Sequence, residues 1–229
     1  MHSISIALER LGDFLQQDIP ATPGLRHFDV SFPLNDAFDP LAWLGAQIAY
    51  PQFYWQQRNG DEELAALGAA EHFSTLSAAR QFLNNPHASA DTRICGLNAF
   101  TPEQSHFFLP RLLWQRSGGV ASLRLNLSSE ASLQDDARRA LEFLQHLQVM
   151  RPITTLSSQI VRETHLPERP EWLSLVSQAT DAIARGEFEK VVLARATDLH
   201  FDQRVNAIAL MAASRRINHN CYHYCMIFD

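Results

Sequence analysis

The chain has 229 residues, of which 46% are hydrophobic and 19% are charged, and its formal net charge is -6. This composition is ordinary for a globular protein, and at this length the chain can form one large or two small domains with a buried core. Because the net charge is negative and lysines and arginines do not cluster, we expect neither nucleic acid nor an anionic membrane as a partner.

The first 150 residues alternate helices and strands irregularly, and we predict that they form an N-terminal α+β region, residues 1–150. The predicted helices are residues 4–15, 40–47, 77–84 (with Ser77 as the N-cap) and 133–149 (opened by Ser132). The predicted strands are residues 25–32, 52–58, 64–73, 93–100, 107–116 and 120–127. Asn59-Gly60 and Ser117-Gly118-Gly119 each lie between two strands, and both sequences are typical of antiparallel hairpins.

The rest of the chain begins with residues 151–170, whose prolines, serines and threonines predict a surface connector. A helix is predicted next, with Pro170 near its start, apolar residues such as Trp172 at helical spacing, and Gly186 as its stop signal. We then predict a strand at residues 190–201, a helix at 206–217 and a strand at 222–229. Antiparallel hairpins with helices set between them indicate an α+β fold.

The three cysteines are Cys95, Cys221 and Cys225, which are too few and too scattered for a secreted disulfide framework. The beginning of the chain is typical of an amphipathic helix rather than of a signal peptide. No apolar run approaches the roughly 20 residues needed to span a bilayer. These features predict reduced thiols, no membrane and a cytoplasmic location.

Cys221, His223 and Cys225 occupy alternate positions, so in a strand they would face one side and offer three soft metal ligands. Small zinc sites usually place ligands in turns with two-residue spacing, and the sequence offers no evident fourth ligand here. We therefore do not expect these residues to bind a metal, and we assign no metal ligand in this chain.

Lys190 is the residue in which we expect chemistry, because it begins the apolar sequence Lys190-Val-Val-Leu-Ala-Arg195. In a strand, Lys190 would share one face with Ala194, while Arg195 would face the other side and pair with an acidic residue. Withdrawal from water favours the neutral form of a lysine, which can then take a proton from water. An ammonium group in solvent at the entrance of the strand is the alternative, and the composition does not choose between them.

Several long blocks resemble, in the same order, the chorismate-utilising enzymes, and most closely the isochorismate synthases of menaquinone biosynthesis. The blocks are residues 19–24, 50–63, 109–112, 186–201, 211–216 and 220–223. The resemblance runs along nearly the whole chain and corresponds to the N-terminal part of the family. It implies an anthranilate synthase-like fold, in which two antiparallel sheets stack, helices lie outside and the active site lies between the sheets. The fold would be incomplete at the C-terminus, with residues 171–229 as the start of the chorismate-binding catalytic region.

The resemblance also implies a mechanism for converting chorismate to isochorismate. The lysine at position 190 would activate a water that attacks ring carbon C2, and the C4 hydroxyl would leave. Family members that use ammonia carry glutamine at this position. The family's general acid and the glutamates that hold Mg²⁺ have no counterpart here and are expected beyond residue 229.

The apolar strand predicted at residues 222–229 has no expected partner strand, which is unusual for a natural domain end. We therefore expect a truncated chain that is inactive alone, while a short chain whose last strand pairs with an earlier strand is the alternative. Two other functions stay open: a salicylate synthase, which would also release pyruvate, and a non-catalytic remnant.

Overall fold

The computed structural model describes residues 2–34, 37–101 and 105–228. Its helices are α1 (His2–Leu15), α2 (Pro40–Gly45), α3 (Leu76–Leu83), α4 (Leu133–Gln145), α5 (Arg169–Ala184) and α6 (Ala207–Ile217). Its strands are β1 (Gly24–Pro33), β2 (Gln52–Gln56), β3 (Glu62–Phe73), β4 (Cys95–Leu97), β5 (His106–Ser117), β6 (Val120–Ser129), β7 (Ile160–Leu166), β8 (Ala196–Phe201) and β9 (His223–Ile227). The predicted α+β class, with antiparallel sheets and outer helices, is confirmed.

The chain divides into two compact units, of which Thr155–Asn206 forms the smaller. The described residues on either side of it form the larger unit, so α6 and β9 belong with the first 154 residues. This division differs from the predicted regions, which ended at residues 150 and 170.

The larger unit contains one antiparallel sheet with the strand order β1-β6-β5-β3-β2-β9, and β4 pairs with β5. Both predicted hairpins are confirmed. Gly60 (φ 78°) lies in the turn between β2 and β3, and Gly118 and Gly119 (φ 57° and 85°) connect β5 to β6. Positive φ is easily adopted by glycine, which is why these short sequences predict the turns.

One face of this sheet forms the main core with helices α1, α2, α4 and α6. Each helix contributes the apolar side chains that recur along one of its faces, such as Leu11 of α1 and Ala140 of α4. Leu67, Leu112 and Leu125 are fully buried beneath them. Burying one such leucine stabilises the fold by about 1.5–3 kcal/mol, so this face accounts for much of the hydrophobic stabilisation.

The starts of α3 and α4 are fixed by side-chain caps. Ser132 Oγ accepts a hydrogen bond from the Asp135 amide (3.2 Å), as predicted, although α4 ends at Gln145 rather than at residue 149. Helix α3 is capped by Thr75, whose Oγ1 accepts from the Ala78 amide (3.1 Å), so the prediction of Ser77 as the cap is wrong. Thr75 has the extended backbone that an N-cap requires, whereas Ser77 already lies inside the helix.

The smaller unit consists of α5 and the antiparallel pair of β7 and β8. Helix α5 confirms the predicted helix, with Pro170 in its first turn. The predicted surface connector is wrong in part, because β7 lies within residues 151–170.

The predicted strand at residues 190–201 is shorter than expected and does not include Lys190. Strand β8 begins at Ala196, which pairs with Leu166, the last residue of β7. Pro167 follows Leu166 and has no amide hydrogen to donate, so the ladder stops there. Residues 190–195 have an apolar strand sequence, but β7 offers no pairing partner for them.

The expectation that the last strand has no partner is also wrong. Strand β9 pairs antiparallel with β2, from Gln52 opposite Ile227 to Gln56 opposite His223. Asp229 lies outside the described residues. Within the described ranges, no helix combines the length and the apolar character required to cross a bilayer.

Candidate functional site

Lys190 follows a well-defined helix end in the smaller unit. The amide of Gly186 donates to the Ile183 carbonyl (3.0 Å), and the amide of Glu187 donates to the Ala182 carbonyl (3.0 Å). With Gly186 at φ 77°, this pair of bonds is a Schellman ending, in which a left-handed residue reverses the chain after the helix. The turn carries the chain from α5 directly into the segment that holds Lys190.

The Lys190 side chain is exposed. Among the described residues it makes no hydrogen bond or ion pair, whereas the neighbouring Arg185 and Glu187 pair with each other (2.7 Å). Of the two alternatives for Lys190, a partly desolvated strand position and an ammonium group in solvent, the described residues show the exposed one. Arg195 is likewise exposed, and its predicted acidic partner does not appear among the described residues.

A groove of about 400 Å³ lies beside this segment. One wall comes from α5, including Leu175 and Ala179, and the other comes from Phe188, Val191 and Leu193. The apolar residues that follow Lys190 thus line the same groove as the helix that precedes it. Lys190 itself does not line this groove.

A second candidate cluster, which we call the Arg215 cluster, lies in the larger unit and consists of Asp39, Tyr54, Glu63, Arg116 and Arg215. Tyr54 donates to Glu63 Oε1 (2.6 Å), and Arg215 Nη1 donates to the same oxygen (3.1 Å) and to the Tyr54 hydroxyl (3.1 Å). Arg116 donates to Glu63 Oε2 (2.9 Å), and Arg215 Nη2 donates to Asp39 Oδ2 (2.8 Å). Asp39 also caps α2 through its Oδ1, so the cluster joins the start of α2, the sheet and the end of α6.

Burial and charge shift the pKa values of this cluster. The pKa of Tyr54 is raised well above its ordinary value, first by burial and then by the adjacent Glu63 carboxylate. Burial acts to lower the pKa of Arg215, but Tyr54 and Asp39 outweigh it and raise that pKa. Tyr54 is therefore a neutral donor and Arg215 a permanent cation at physiological pH, which suits a fixed structural or positioning role better than proton transfer.

The Arg215 cluster was not predicted from the sequence, which indicated only that Arg215 lies in the helix predicted at residues 206–217. One signal was present. Glu63 alternates with Ala65 and Leu67 on the face of β3 that forms the core, and a carboxylate at such a position requires a buried partner.

Neither candidate site provides a binding place for Mg²⁺. Among residues 2–34, 37–101 and 105–228, no three His, Cys, Asp or Glu side chains lie close enough to hold a metal ion. His223 is buried and its Nε2 lies 3.1 Å from the Asn218 carbonyl, while Cys221 is exposed and Cys225 half-buried. The residues described here do not fit a magnesium site, and we derive no step through the metal.

The sequence matches the family of chorismate binding enzymes over residues 25–228. Because this match spans most of the sequence, the chain belongs to the chorismate-binding enzyme family. A solved structure of MenF, the menaquinone-specific isochorismate synthase from Escherichia coli, superposes with a TM-score of 0.88 at 56% identity and covers 99% of this chain and 53% of that chain.

Two curated relatives extend the comparison. The chain is 56% identical to the isochorismate synthase MenF of Escherichia coli strain K12 over 229 residues, which are 100% of this chain and 53% of the relative. It is 35% identical to the isochorismate synthase MenF of Haemophilus influenzae over 215 residues, which are 92% of this chain and 46% of the relative. The chain thus spans about half the length of the relatives it matches.

Proposed function

We propose that this chain serves in an isochorismate synthase that converts chorismate to isochorismate for menaquinone biosynthesis. The single observation that carries the proposal is 56% identity to an isochorismate synthase over the entire chain, together with the shared fold. The smaller unit supports it, because the exposed amine of Lys190 follows the Schellman ending of α5. The cytoplasmic location stays a prediction.

In this proposal Lys190 is the general base of the reaction. Its neutral amine takes a proton from water while the water oxygen forms a bond to ring carbon C2. The ring double bonds shift, the C4 to oxygen bond breaks, and the departing hydroxide takes a proton to become water. Atoms balance, because one hydroxyl is gained at C2 and one is lost at C4.

The exposure of Lys190 sets a condition on this mechanism. A lysine acts as a base only while its amine is neutral, and withdrawal from water favours that form. Lys190 is exposed among the described residues, so the substrate or further polypeptide must cover it during turnover. We likewise propose that the general acid lies outside this chain, along with any residues that hold Mg²⁺.

The experiment is an assay of the chain co-expressed with the part of Escherichia coli MenF that it does not match. Chorismate consumption and products are followed by liquid chromatography. We expect isochorismate without salicylate or pyruvate, and we expect Lys190→Ala to lower kcat by about 10²–10⁴-fold, the usual contribution of a general base. Arg204→Ala, which removes another exposed cation of the same unit, is the matched control.

Three results would contradict the proposal. Near-normal turnover by Lys190→Ala would remove Lys190 from the mechanism. Salicylate and pyruvate as products would identify a salicylate synthase. Absence of chorismate consumption by a folded, purified complex would indicate a non-catalytic remnant.

A further inference from the structure

The turn between β2 and β3 has the sequence Gln57-Arg-Asn-Gly-Asp61. The amide of Gly60 donates to the Gln57 carbonyl (2.8 Å), and the amide of Gln57 donates to the Glu62 carbonyl (2.9 Å). Gly60 has φ 78°, as expected for a tight turn that closes with a left-handed residue. Asn59 is exposed, and a Cβ added at Gly60 would meet no heavy atom within 4 Å among the described residues. Water therefore has access to the Asn59 side chain.

Asn59 is the one asparagine of the chain that is followed by glycine. Asparagine is chemically labile because the amide nitrogen of the next residue can attack its side-chain carbonyl carbon. Glycine favours this attack, since it has no Cβ to obstruct the approach and its backbone changes conformation readily. The two residues that predict the hairpin are thus also suited to covalent change.

We propose that Asn59 is a site of hydrolytic deamidation, and that opening of the β2–β3 turn controls its rate. The nitrogen of Gly60 forms a bond to Asn59 Cγ, the bond from Cγ to Nδ2 breaks, and the proton of the Gly60 amide leaves with Nδ2 as ammonia. Water then opens the resulting succinimide ring by adding its hydroxyl to one of the two carbonyl carbons and its proton to the ring nitrogen. The product is aspartate or isoaspartate, and water is the only co-reactant.

Two contacts of the Asn59 side chain favour the attack. Its Oδ1 accepts from the Asp61 amide (3.2 Å), which draws electrons from Cγ and stabilises the oxygen when that carbon is attacked. Its Nδ2 donates to Asp61 Oδ2 (2.5 Å), which keeps the side-chain amide directed toward the residues that follow it. The folded turn therefore holds the electrophilic group close to Gly60 in the chain.

The hydrogen bond of the Gly60 amide opposes the attack. Closure of the ring requires the Gly60 nitrogen to rotate toward the Asn59 side chain, and that rotation breaks the bond to the Gln57 carbonyl. An exposed hydrogen bond of this kind changes an equilibrium by roughly 2- to 10-fold. Local opening of a short turn costs much less free energy than global unfolding. We therefore expect the fold to slow deamidation of Asn59 without preventing it.

Asn84 provides a matched comparison within the same molecule. It is exposed, and the next amide, that of Asn85, also donates to a carbonyl, that of Phe82 (3.0 Å). Asn84 thus resembles Asn59 in exposure and in the hydrogen bond of the following amide, but it is followed by a residue with a Cβ. A faster reaction at Asn59 than at Asn84 is the effect expected of glycine.

The test incubates the full 229-residue chain at mildly alkaline pH and follows deamidation by mass spectrometry of tryptic peptides. Cleavage after Arg58 and Arg80 releases residues 59–80, in which Asn59 is the only side-chain amide, so a mass gain of this peptide assigns the reaction. Each event adds one negative charge to the net charge of -6, so anion-exchange chromatography separates the modified chain. Isoaspartate methyltransferase with a labelled methyl donor identifies the isoaspartate product.

We expect Asn59 of the folded chain to react at least about tenfold faster than Asn84. We also expect Asn59 to react about 2- to 10-fold faster in guanidinium chloride than in the folded chain. In the same denaturant, Gly60→Ala is expected to slow the reaction at least about fivefold, a result that does not depend on how the variant folds.

Three results would overturn the proposal. A rate at Asn59 of the folded chain no higher than that at Asn84 would show that Asn59 is not a site of deamidation. Equal rates at Asn59 in the folded and the denatured chain would show that the turn does not control the reaction. An unchanged rate in denatured Gly60→Ala would show that the glycine does not favour the attack.

Discussion

The Tyr54 hydroxyl donates a 2.6 Å hydrogen bond to Glu63 Oε1 across the β2–β3 hairpin, and both residues are buried. A carboxylate in such a place is costly unless it is paired and hydrogen-bonded. Arg215 supplies the charge from α6, at 3.1 Å from the same oxygen. The position of α6 on the sheet is therefore linked to the pairing of one buried carboxylate.

Replacement of Arg215 by methionine is expected to destabilise the larger unit. The substitution keeps an apolar stem but leaves Glu63 buried with one cation fewer. Arg116 remains as a partner and Arg215 is partly exposed, so we expect a loss of about 2–3 kcal/mol, below the full cost of breaking a buried pair. Urea unfolding followed by tryptophan fluorescence measures it.

The control for that substitution is Arg216→Met. Arg216 is the next residue of α6 and is exposed, so its change is expected to stay within about 0.5 kcal/mol. If the two variants lose equal stability, Arg215 has no special role in holding α6 on the sheet.

The local parts of this fold were predictable from the sequence, and the contacts between distant residues were not. Asn59-Gly60 predicts its hairpin because the positive φ of a tight turn is a property of the residues themselves. The sequence predicted Lys190 in a strand, but a strand also needs a neighbouring strand to pair with. Strand β7 ends at Leu166, so it offers no partner to Lys190. The Arg215 cluster joins residues up to 176 positions apart, from Asp39 to Arg215. The spacing of residues along the chain does not predict such a contact.

A second ion pair, between Arg111 and Asp136, predicts how stability depends on pH. Arg111 donates two hydrogen bonds to the Asp136 carboxylate (2.7 and 2.8 Å), and the Ser128 amide donates a third (2.9 Å). Burial acts to raise the pKa of Asp136, but the bonds from Arg111 outweigh it and hold that pKa below the ordinary 3.8. As the pH falls, the Asp136 carboxyl is therefore protonated at a higher pH in the unfolded chain than in the folded chain.

The stabilisation from Asp136 is therefore complete above about pH 4 and is lost as the pH falls through the lowered pKa of the folded state. We expect Asp136→Asn to cost about 3 kcal/mol at pH 7, since Arg111 is left buried with a neutral partner. The variant is also expected to lose less stability than the original chain between pH 4 and pH 2. Denaturant unfolding at a series of pH values measures both effects.

Asp135→Asn is the comparison for this experiment, because Asp135 lies on the same helix turn but is exposed and pairs with the exposed Arg138. Its effect at pH 7 is expected to stay within about 0.5 kcal/mol. If the free energy of unfolding of Asp136→Asn depends on pH in the same way as that of the original chain, another carboxyl group controls acid unfolding.

The three thiols are expected to differ strongly in reactivity. Cys95 is buried, which raises its pKa to about 12 although Arg93 acts in the opposite direction. Burial also raises the pKa of the half-buried Cys225, whereas Cys221 is exposed. At pH 8 we expect iodoacetamide to alkylate Cys221 at least about 100-fold faster than Cys95, because the thiolate is the reactive form. Peptide mass spectrometry measures the three rates. In urea the three rates are expected to converge, because unfolding exposes every thiol. Rapid labelling of Cys95 in the folded chain would contradict its burial.

The exposure of Lys190 can be measured directly, because Lys190 is the only lysine in the 229 residues. Acetylation by an activated ester therefore modifies the chain only at Lys190 and at the N-terminal amine, which lie in different peptides. Since the amine is exposed and makes no ion pair among the described residues, we expect the folded chain to be labelled at Lys190 within about threefold of the rate in urea.

In complex with the unmatched part of Escherichia coli MenF, we expect that rate to fall at least about tenfold, because a catalytic base must be withdrawn from water. Slow labelling of the chain alone would mean that Lys190 is already covered, and unchanged labelling in a stable complex would mean that the partner leaves it in solvent, where it is unsuited to act as the base.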